Sequence, residues 1–193
     1  ESSLATIGSW PWSRARVAEL LENLLGAYGA RGVALDMVLP EPADQQGDMR
    51  LAGLSQYGSV VLAQAFDYVP RSLPLRVGQV AGGSPAETPG SAPAASGFIA
   101  NHAGLAQARH TGNIGFVPDE DGAIRRLPLL TSFEGRQYAA LSLALASLGS
   151  GAVVAKPSEE AFWRIPFSRN WSAYTVVPAA HILNFDLPAE MVR

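Results

Sequence analysis

Carboxylates and guanidinium groups, rather than nucleophiles, carry the chemistry this 193-residue chain can offer. Asp36 interrupts the otherwise apolar run from Val33 to Leu39. A carboxylate within such a strand must pair, accept several hydrogen bonds or take up a proton. Two readings follow: Asp36 touches a ligand in a pocket, or it is half of a structural ion pair with Arg14 or Arg125. The segment Trp10-Pro11-Trp12-Ser13-Arg14 leads into a helix start, where free amides, the helix dipole and a guanidinium suit an anion. Its tryptophans serve either as pocket walls or as core anchors that seat the helix. Asp44 and Asp48 follow the apolar run, so Asp36, Asp44 and Asp48 around a divalent metal would make a small α/β enzyme. Asp48 has a simpler role as the cap of a second helix, and no metal or other cofactor is expected. Arg125 and Arg126 are neighbours on an expected strand, so they should point to opposite faces and form no single basic patch.

The usual catalytic signatures are missing: there is no Gly-x-Ser-x-Gly elbow, phosphate loop, His-Glu-x-x-His or Gly-x-Gly-x-x-Gly. His102, His110 and His181 are scattered, and an isolated histidine is more often a surface or satisfied core residue than a ligand. Asp119-Glu120-Asp121-Gly122 resembles part of a calcium loop but lacks its upstream Asp and downstream Glu, so it reads as a turn. Hydrophobic residues make up 48% and charged residues 16%, with a net charge of −3, which describes a globular chain with no footprint for nucleic acid. The absence of cysteine excludes disulfides, thiolate metal sites and a cysteine nucleophile. The uncharged stretch from Gln137 to Ala155 has the length of a membrane span, but Gly149-Ser150-Gly151 breaks it. It reads as a helix over about 139–148 followed by a strand. Glu1 is no natural start and no signal peptide precedes it, so the sequence reads as part of a longer chain.

These residues need elements to hold them. Val17, Leu20, Leu21, Leu24, Leu25 and Tyr28 make one apolar stripe at helical spacing. Ser13 is its N-cap, Pro11 keeps it from starting earlier, and Gly29 or Gly32 ends it. Val33–Leu39 is expected to be a strand covered on both faces. A second helix runs from Asp48 to about Tyr57, and a second strand from Ser59 to Phe66. Such alternation predicts parallel pairing with crossovers. Residues 69–96, rich in proline and glycine, should form a long irregular connection, flexible in its middle. Beyond it come a short strand at Gly97–Ala100, a short helix at Ala103–Arg109, and strands at Gly112–Val117 and Ala123–Thr131 joined by the Asp121-Gly122 turn. Trp163–Ile165 reads as strand and Pro178–Leu183 as a helical turn. The expected fold class is α/β: a mostly parallel central sheet flanked by helices, with an added antiparallel hairpin near 112–133, in one domain over 1–193.

Taken in order, these stretches carry a resemblance. Ile7-Gly-x-Trp10-Pro-Trp12-Ser-Arg14, Val33-Ala-Leu-Asp36-Met-Val-Leu-Pro-Glu41-Pro and Asp48-x-x-Leu51-Ala52 come first. Val60–Ala63, Gly112–Phe116, Asp119–Leu129, Ile165-Pro166-Phe167 and Val177-Pro178 follow. The series resembles the type-two CHASE domain, the cyclase- and histidine-kinase-associated sensory extracellular domain, over nearly the whole chain. That resemblance implies an extracytoplasmic, periplasmic sensor of a bacterial inner-membrane receptor, non-enzymatic itself. Membrane helices would flank it, with a cytoplasmic histidine kinase, adenylate or diguanylate cyclase, or serine/threonine kinase beyond. It implies a small ligand or a periplasmic protein as partner, and a receptor homodimer; a purely structural docking module is the other reading. Family members usually begin with a strand before the position of Glu1 and end with one after Arg193, and without them sheet edges would be exposed. The expected ligand contacts are Trp10, Trp12, Arg14, Asp36, Glu41 and Arg125, with the pocket at the carboxyl ends of the parallel strands. Pro11, Ser13, Asp48, Asp121, Gly122 and Arg126 are expected to be structural.

Overall fold

The computed structural model describes residues 2–86, 90, 92–150, 162–167, 170, 172, 174–188 and 191. In chain order its first elements are α1 (Ser2–Ile7), α2 (Arg14–Leu25), β1 (Val33–Leu35), α3 (Gln45–Tyr57) and β2 (Val60–Asp67). Short strands β3 (Arg76–Val77), β4 (Ser84–Pro85) and β5 (Gly97–Ile99) follow, then a 3-10 turn at Ala103–Leu105 and β6 (His110–Asn113). The remainder is β7 (Arg126–Pro128), β8 (Leu130–Phe133), β9 (Arg136–Ala139), α4 (Leu141–Ser150), β10 (Phe162–Arg164) and α5 (Ala179–Leu183).

β2 is the axis of the sheet, and its sequence explains why. Val60, Val61, Leu62 and Ala63 are all fully buried, as the apolar run requires of a strand covered on both faces. Val60 and Leu62 join Val17, Leu21, Leu35 and Leu51 in the core beneath α2 and α3. Val61 and Ala63 alternate to the other face, where α4 crosses β1, β2 and β6. β1 and β6 run parallel to the first half of β2, with Val33 opposite Val60 and His110 opposite Val61. β5 runs antiparallel to the second half, with Phe98 opposite Phe66, and β3 joins parallel to β5.

Where strand pairing changes, buried amide side chains replace the missing ladder. Gln64 accepts from the Ala81 amide and donates to the Ala81 carbonyl, both at 3.2 Å. Asn101 accepts from Leu39 N at 2.8 Å and donates to Ala63 O at 2.9 Å. Asn113 accepts from Gly115 N and Phe66 N while donating to the Tyr68 and Thr131 hydroxyl oxygens. A buried amide earns its place only when both ends are satisfied, as here.

The expected fold class holds: a mixed α/β fold with a mainly parallel central sheet, flanking helices and separate antiparallel sheets. Some details differ. The antiparallel hairpin is β8–β9, closed by Glu134-Gly135, both at positive φ. The Asp121-Gly122 turn forms, with Gly122 N donating to Asp119 O. The strands around it do not pair with each other, because β6 is taken by β2 and β7 by β10. β1 ends at Leu35, since only Val33–Leu35 face β2, and this leaves Asp36 outside the strand and exposed. Asp36 makes no ion pair with Arg14 or Arg125. The middle of the proline-rich connection (residues 87–89 and 91) and the strand expected after α4 lie outside the described residues.

α2 and α3 begin side by side at a close backbone approach. A Cβ at Gly47 would collide with Ala15 N and stand 2.5 Å from Arg14 C. Alanine ordinarily favours a helix over glycine by about 1 kcal/mol. Here overpacking wins, so Gly47→Ala should destabilise the fold by roughly 1–3 kcal/mol in urea unfolding.

Candidate functional site

The two helix starts share one carboxylate. Asp44 is the N-cap of α3, its Oδ1 accepting from Gly47 N at 2.6 Å. Its Oδ2 accepts from Arg14 N, the first amide of α2, at 2.8 Å. Ser13 caps α2 as expected, accepting from Arg16 N at 3.2 Å. Asp48 is therefore not the cap. It lies in the first turn of α3 and reaches back, its Oδ2 accepting from Ala43 N at 2.8 Å. Asp44 precedes Asp48 by one helical turn, and either residue type suits a cap, so only the backbone path distinguishes them.

The other Asp48 oxygen faces two cationic or donor groups. Oδ1 is 3.5 Å from Arg14 Nε and 3.5 Å from His102 Nε2. The three side chains are only 12%, 16% and 8% exposed for Asp48, Arg14 and His102. Among the described residues these three atoms are the buried side-chain polar atoms without a hydrogen-bond partner. Arg14 is otherwise anchored by donating from Nη2 to Glu41 O at 3.2 Å. His102 is held by its backbone, which donates to Leu39 O, and by Nδ1, which accepts from Gly104 N at 3.1 Å. Because Nδ1 accepts, the neutral ring carries its proton on Nε2, aimed at Asp48.

Gln45, Asp48 and His102 form the polar part of the wall of a cavity of about 430 Å³. Pro42, Ala43, Met49 and Ala52 supply its apolar part. A mainly apolar concavity with few convergent polar groups is the usual form of a small-molecule site.

A second cavity, of about 520 Å³, lies between the Asp119–Asp121 turn and β7–β10. Asp119 receives both Arg125, at 3.1 Å, and Arg126, at 2.7 Å. Arg125 also grips Asp121 through two nitrogens, at 2.7 and 2.8 Å. The two arginines thus converge on one carboxylate instead of pointing apart. Arg125 lies just before β7, where the alternation of a strand does not apply.

The CHASE2 domain family matches this chain over residues 1–193. The chain belongs to the CHASE2 domain family. Comparison with curated proteins and with solved structures gives no match. CHASE2 domains are extracellular sensory domains of signalling receptors and are not catalytic. No described helix here is long and apolar enough to cross a membrane.

Within this CHASE2 domain the motif residues fall in three places. Arg14 and Asp48 meet in the buried cluster, with the Glu41 carbonyl beside them. Trp10 and Trp12 pack edge to face at 5.5 Å, and Trp12 donates to Gly8 O. Pro11 follows Trp10 through a cis peptide bond. Trp10 is 53% exposed, so it is not a core anchor, and neither tryptophan lines the cavity. Arg125, Arg126, Asp121 and Gly122 belong to the second cavity or its turn. Asp36, Asp44 and Asp48 do not surround a metal position: Asp44 is occupied by two amides and Asp36 is exposed. Among the described residues no group of three or more His, Asp or Glu is placed to hold a metal ion. His102 is the functional candidate that spacing alone missed. Its signal was an Asn101-His102 pair set between Phe98-Ile99-Ala100 and Leu105, polar residues where a core is being built.

Removing the shared carboxylate uncaps α3 and takes the acceptor from the Arg14 amide, while Ser13 still caps α2. Asp44→Ala should cost about 2 kcal/mol in chemical denaturation, about one for each hydrogen bond lost, and Asp44→Asn distinctly less. The second cavity has a pH signature. Asp119 is held below the usual carboxylate range, first by the Arg126 hydrogen bonds and then by those from Arg125; Asp121 is lowered first by Arg125. A depressed carboxylate stabilises the fold fully above its unfolded pKa, and that contribution fades as pH falls through the lower folded value. Carboxyl NMR titration should find both midpoints below that of an ordinary aspartate, with Arg126→Gln moving that of Asp119 upward.

Proposed function

We propose that this CHASE2 domain is the periplasmic ligand-binding sensor of a bacterial transmembrane receptor, and that its ligand acts at the cavity beside Asp48 and His102. The output would be a cytoplasmic histidine kinase, an adenylate or diguanylate cyclase, or a serine/threonine kinase. Signalling would proceed by a change of geometry in a receptor dimer.

The observation that carries this reading is the position of α2. Its first residue, Arg14, faces Asp48 in the cluster. Beyond its far end, Tyr28 donates to His181 O at 3.3 Å, and Asn23 within it donates to Ile182 O at 3.4 Å. Both acceptors lie in α5, which packs against α1 and donates from Ala180 N to Ser3 Oγ at 3.1 Å. One twelve-residue helix, about 18 Å long, thus links the cluster beside the cavity to α5, and through α5 to α1. A ligand that favours one arrangement of Asp48 against Arg14 would move α2 as a body, and with it both terminal helices.

The test is receptor output in the full-length protein. Asp48→Asn removes the charge that faces Arg14 across 3.5 Å, and with it the electrostatic preference between the two arrangements. The set point of kinase or cyclase output should shift accordingly. Arg16→Gln, which removes only the surface pair with Glu19 on the same helix, should leave it unchanged. Output from a folded Asp48→Asn receptor that matches the unaltered one would refute the proposal.

A further inference from the structure

We infer that the cavity between the Asp119–Asp121 turn and β7–β10 is a second binding site, for a small zwitterion whose carboxylate bridges Arg126 and Arg164 and whose ammonium group faces Glu120. The two cavities share no lining residue, and this inference stands apart from the reading given for Asp48.

Strand register builds the half that takes the carboxylate. Arg126 and Arg164 are direct partners across β7 and β10, so their side chains leave the sheet side by side on one face. Phe162, two positions before Arg164, shares that face, and the Arg126 guanidinium lies over its ring at 5.6 Å. Like charges opposite one another on a sheet repel. Asp119 relieves this on the Arg126 side alone: its Oδ1 accepts from Nε and Nη2 of Arg126 at 3.1 and 2.7 Å, while its Oδ2 accepts from Arg125. Nη1 of Arg126 is left over, and among the described residues the Arg164 side chain has neither an ion pair nor a hydrogen bond. A carboxylate between the two guanidiniums gives one oxygen to each and turns the repulsion into charge-assisted hydrogen bonds. Both are open to solvent, with the Arg126 side chain 56% exposed, so nothing has to move to admit it.

The full charge count of the wall then selects the zwitterion. Three carboxylates, Asp119, Glu120 and Asp121, and three guanidiniums, Arg125, Arg126 and Arg164, line the cavity. Arg125 is occupied by both aspartates, holding Asp121 through two nitrogens and Asp119 through one. Asp119 and Asp121 are in turn held in their charged form by these arginines. Pairing within the wall leaves one charge of each sign, Arg164 and the exposed Glu120, and a wall that is neutral as a whole. A bare carboxylate satisfies Arg164 but faces Glu120 with a like charge, and a phosphate dianion does so doubly. An alkylammonium meets Glu120 but is repelled by Arg164. A molecule carrying both groups meets both and adds no net charge. The volume of about 520 Å³ has room for an amino acid with a chain of several carbons.

The test uses one four-carbon skeleton with its charges varied: γ-aminobutyrate, butyrate and butylammonium, each titrated at pH 7 and fixed ionic strength into the ¹⁵N-labelled chain. γ-Aminobutyrate should shift the amides of Glu120, Gly122 and Arg164 and the Nε–H signals of Arg126 and Arg164 saturably, at about millimolar affinity. Butyrate should bind about threefold more weakly and butylammonium about fivefold, as fits contacts with solvent-exposed charges. Arg164→Gln should weaken γ-aminobutyrate about fivefold, and Glu120→Gln should reduce it to the affinity of butyrate. Neither side chain has a partner to lose among the described residues, and the amide spectrum of each variant reports its folding. Butyrate or butylammonium binding as tightly as γ-aminobutyrate would overturn the zwitterion. Shifts unchanged by Arg164→Gln would place binding away from the cross-strand pair and overturn the site. Silence from all three compounds would overturn it as well, while the output of the Asp48→Asn receptor would still decide the separate reading of the other cavity.

Discussion

Two helix N-termini do not meet willingly. Each carries about half a positive charge and a set of unpaired amides, and α2 adds a guanidinium at its first residue, where a cation is unfavourable. Asp44 makes the meeting possible by accepting from one amide of each helix. Once it does, the remaining geometry has little freedom. α3 must start against Ala15, so position 47 has room only for glycine. Arg14 is turned inward, and the carboxylate one helical turn after Asp44 is the group that faces it. Asp48 is then shared between Arg14, the Ala43 amide and His102. The cavity beside it follows from a junction that electrostatics had already fixed.

The sheet plays a different part. Its middle strand is buried on both faces, and its edges change partner within eight residues. Gln64, Asn101 and Asn113 complete the hydrogen bonding at those changes, and Asn101 does more than that. By accepting from Leu39 N beside the bond from His102 N to Leu39 O, it fixes the segment that leads from β1 to Asp44 against the segment that carries His102. The position of the imidazole is therefore set by the sheet, and that of the carboxylate by the helix junction. The cluster lies where the sheet and the helix junction meet.

This division explains what could be read from the sequence. α2 and its Ser13 cap, the buried run of β2, the Gly122 turn and the fold class all depend on residues within a few positions of one another, and all were legible. Asp44 and Asp48 were not distinguishable, since both are good caps and the choice depends on where Arg14 lies in space. Asp36 looked buried because the apolar run continues past it, whereas the strand ends when β1 runs out of β2 to pair with. Arg125 and Arg126 obey strand alternation only if both are in the strand, and Arg125 is not. His102 was invisible as a candidate because its partner is 54 positions away and no spacing rule connects them. Arg14 and Asp48 both belong to the family's motif series, but that they meet is visible only in space.

An unfinished cluster is what a switch needs. Had Arg14, Asp48 and His102 formed ideal hydrogen bonds, the junction would be locked by interactions worth roughly 1.5–3 kcal/mol each. Had they been replaced by leucine and phenylalanine, packing could be as stable or more so, yet no polar ligand would distinguish one arrangement from another. The observed spacing of 3.5 Å on both sides of Oδ1 lies between these cases. The carboxylate is close enough for a small displacement to favour either neighbour. Since α2 carries one of those neighbours and is bonded towards its far end to α5, a displacement at Asp48 has a direct route through one helix to α5.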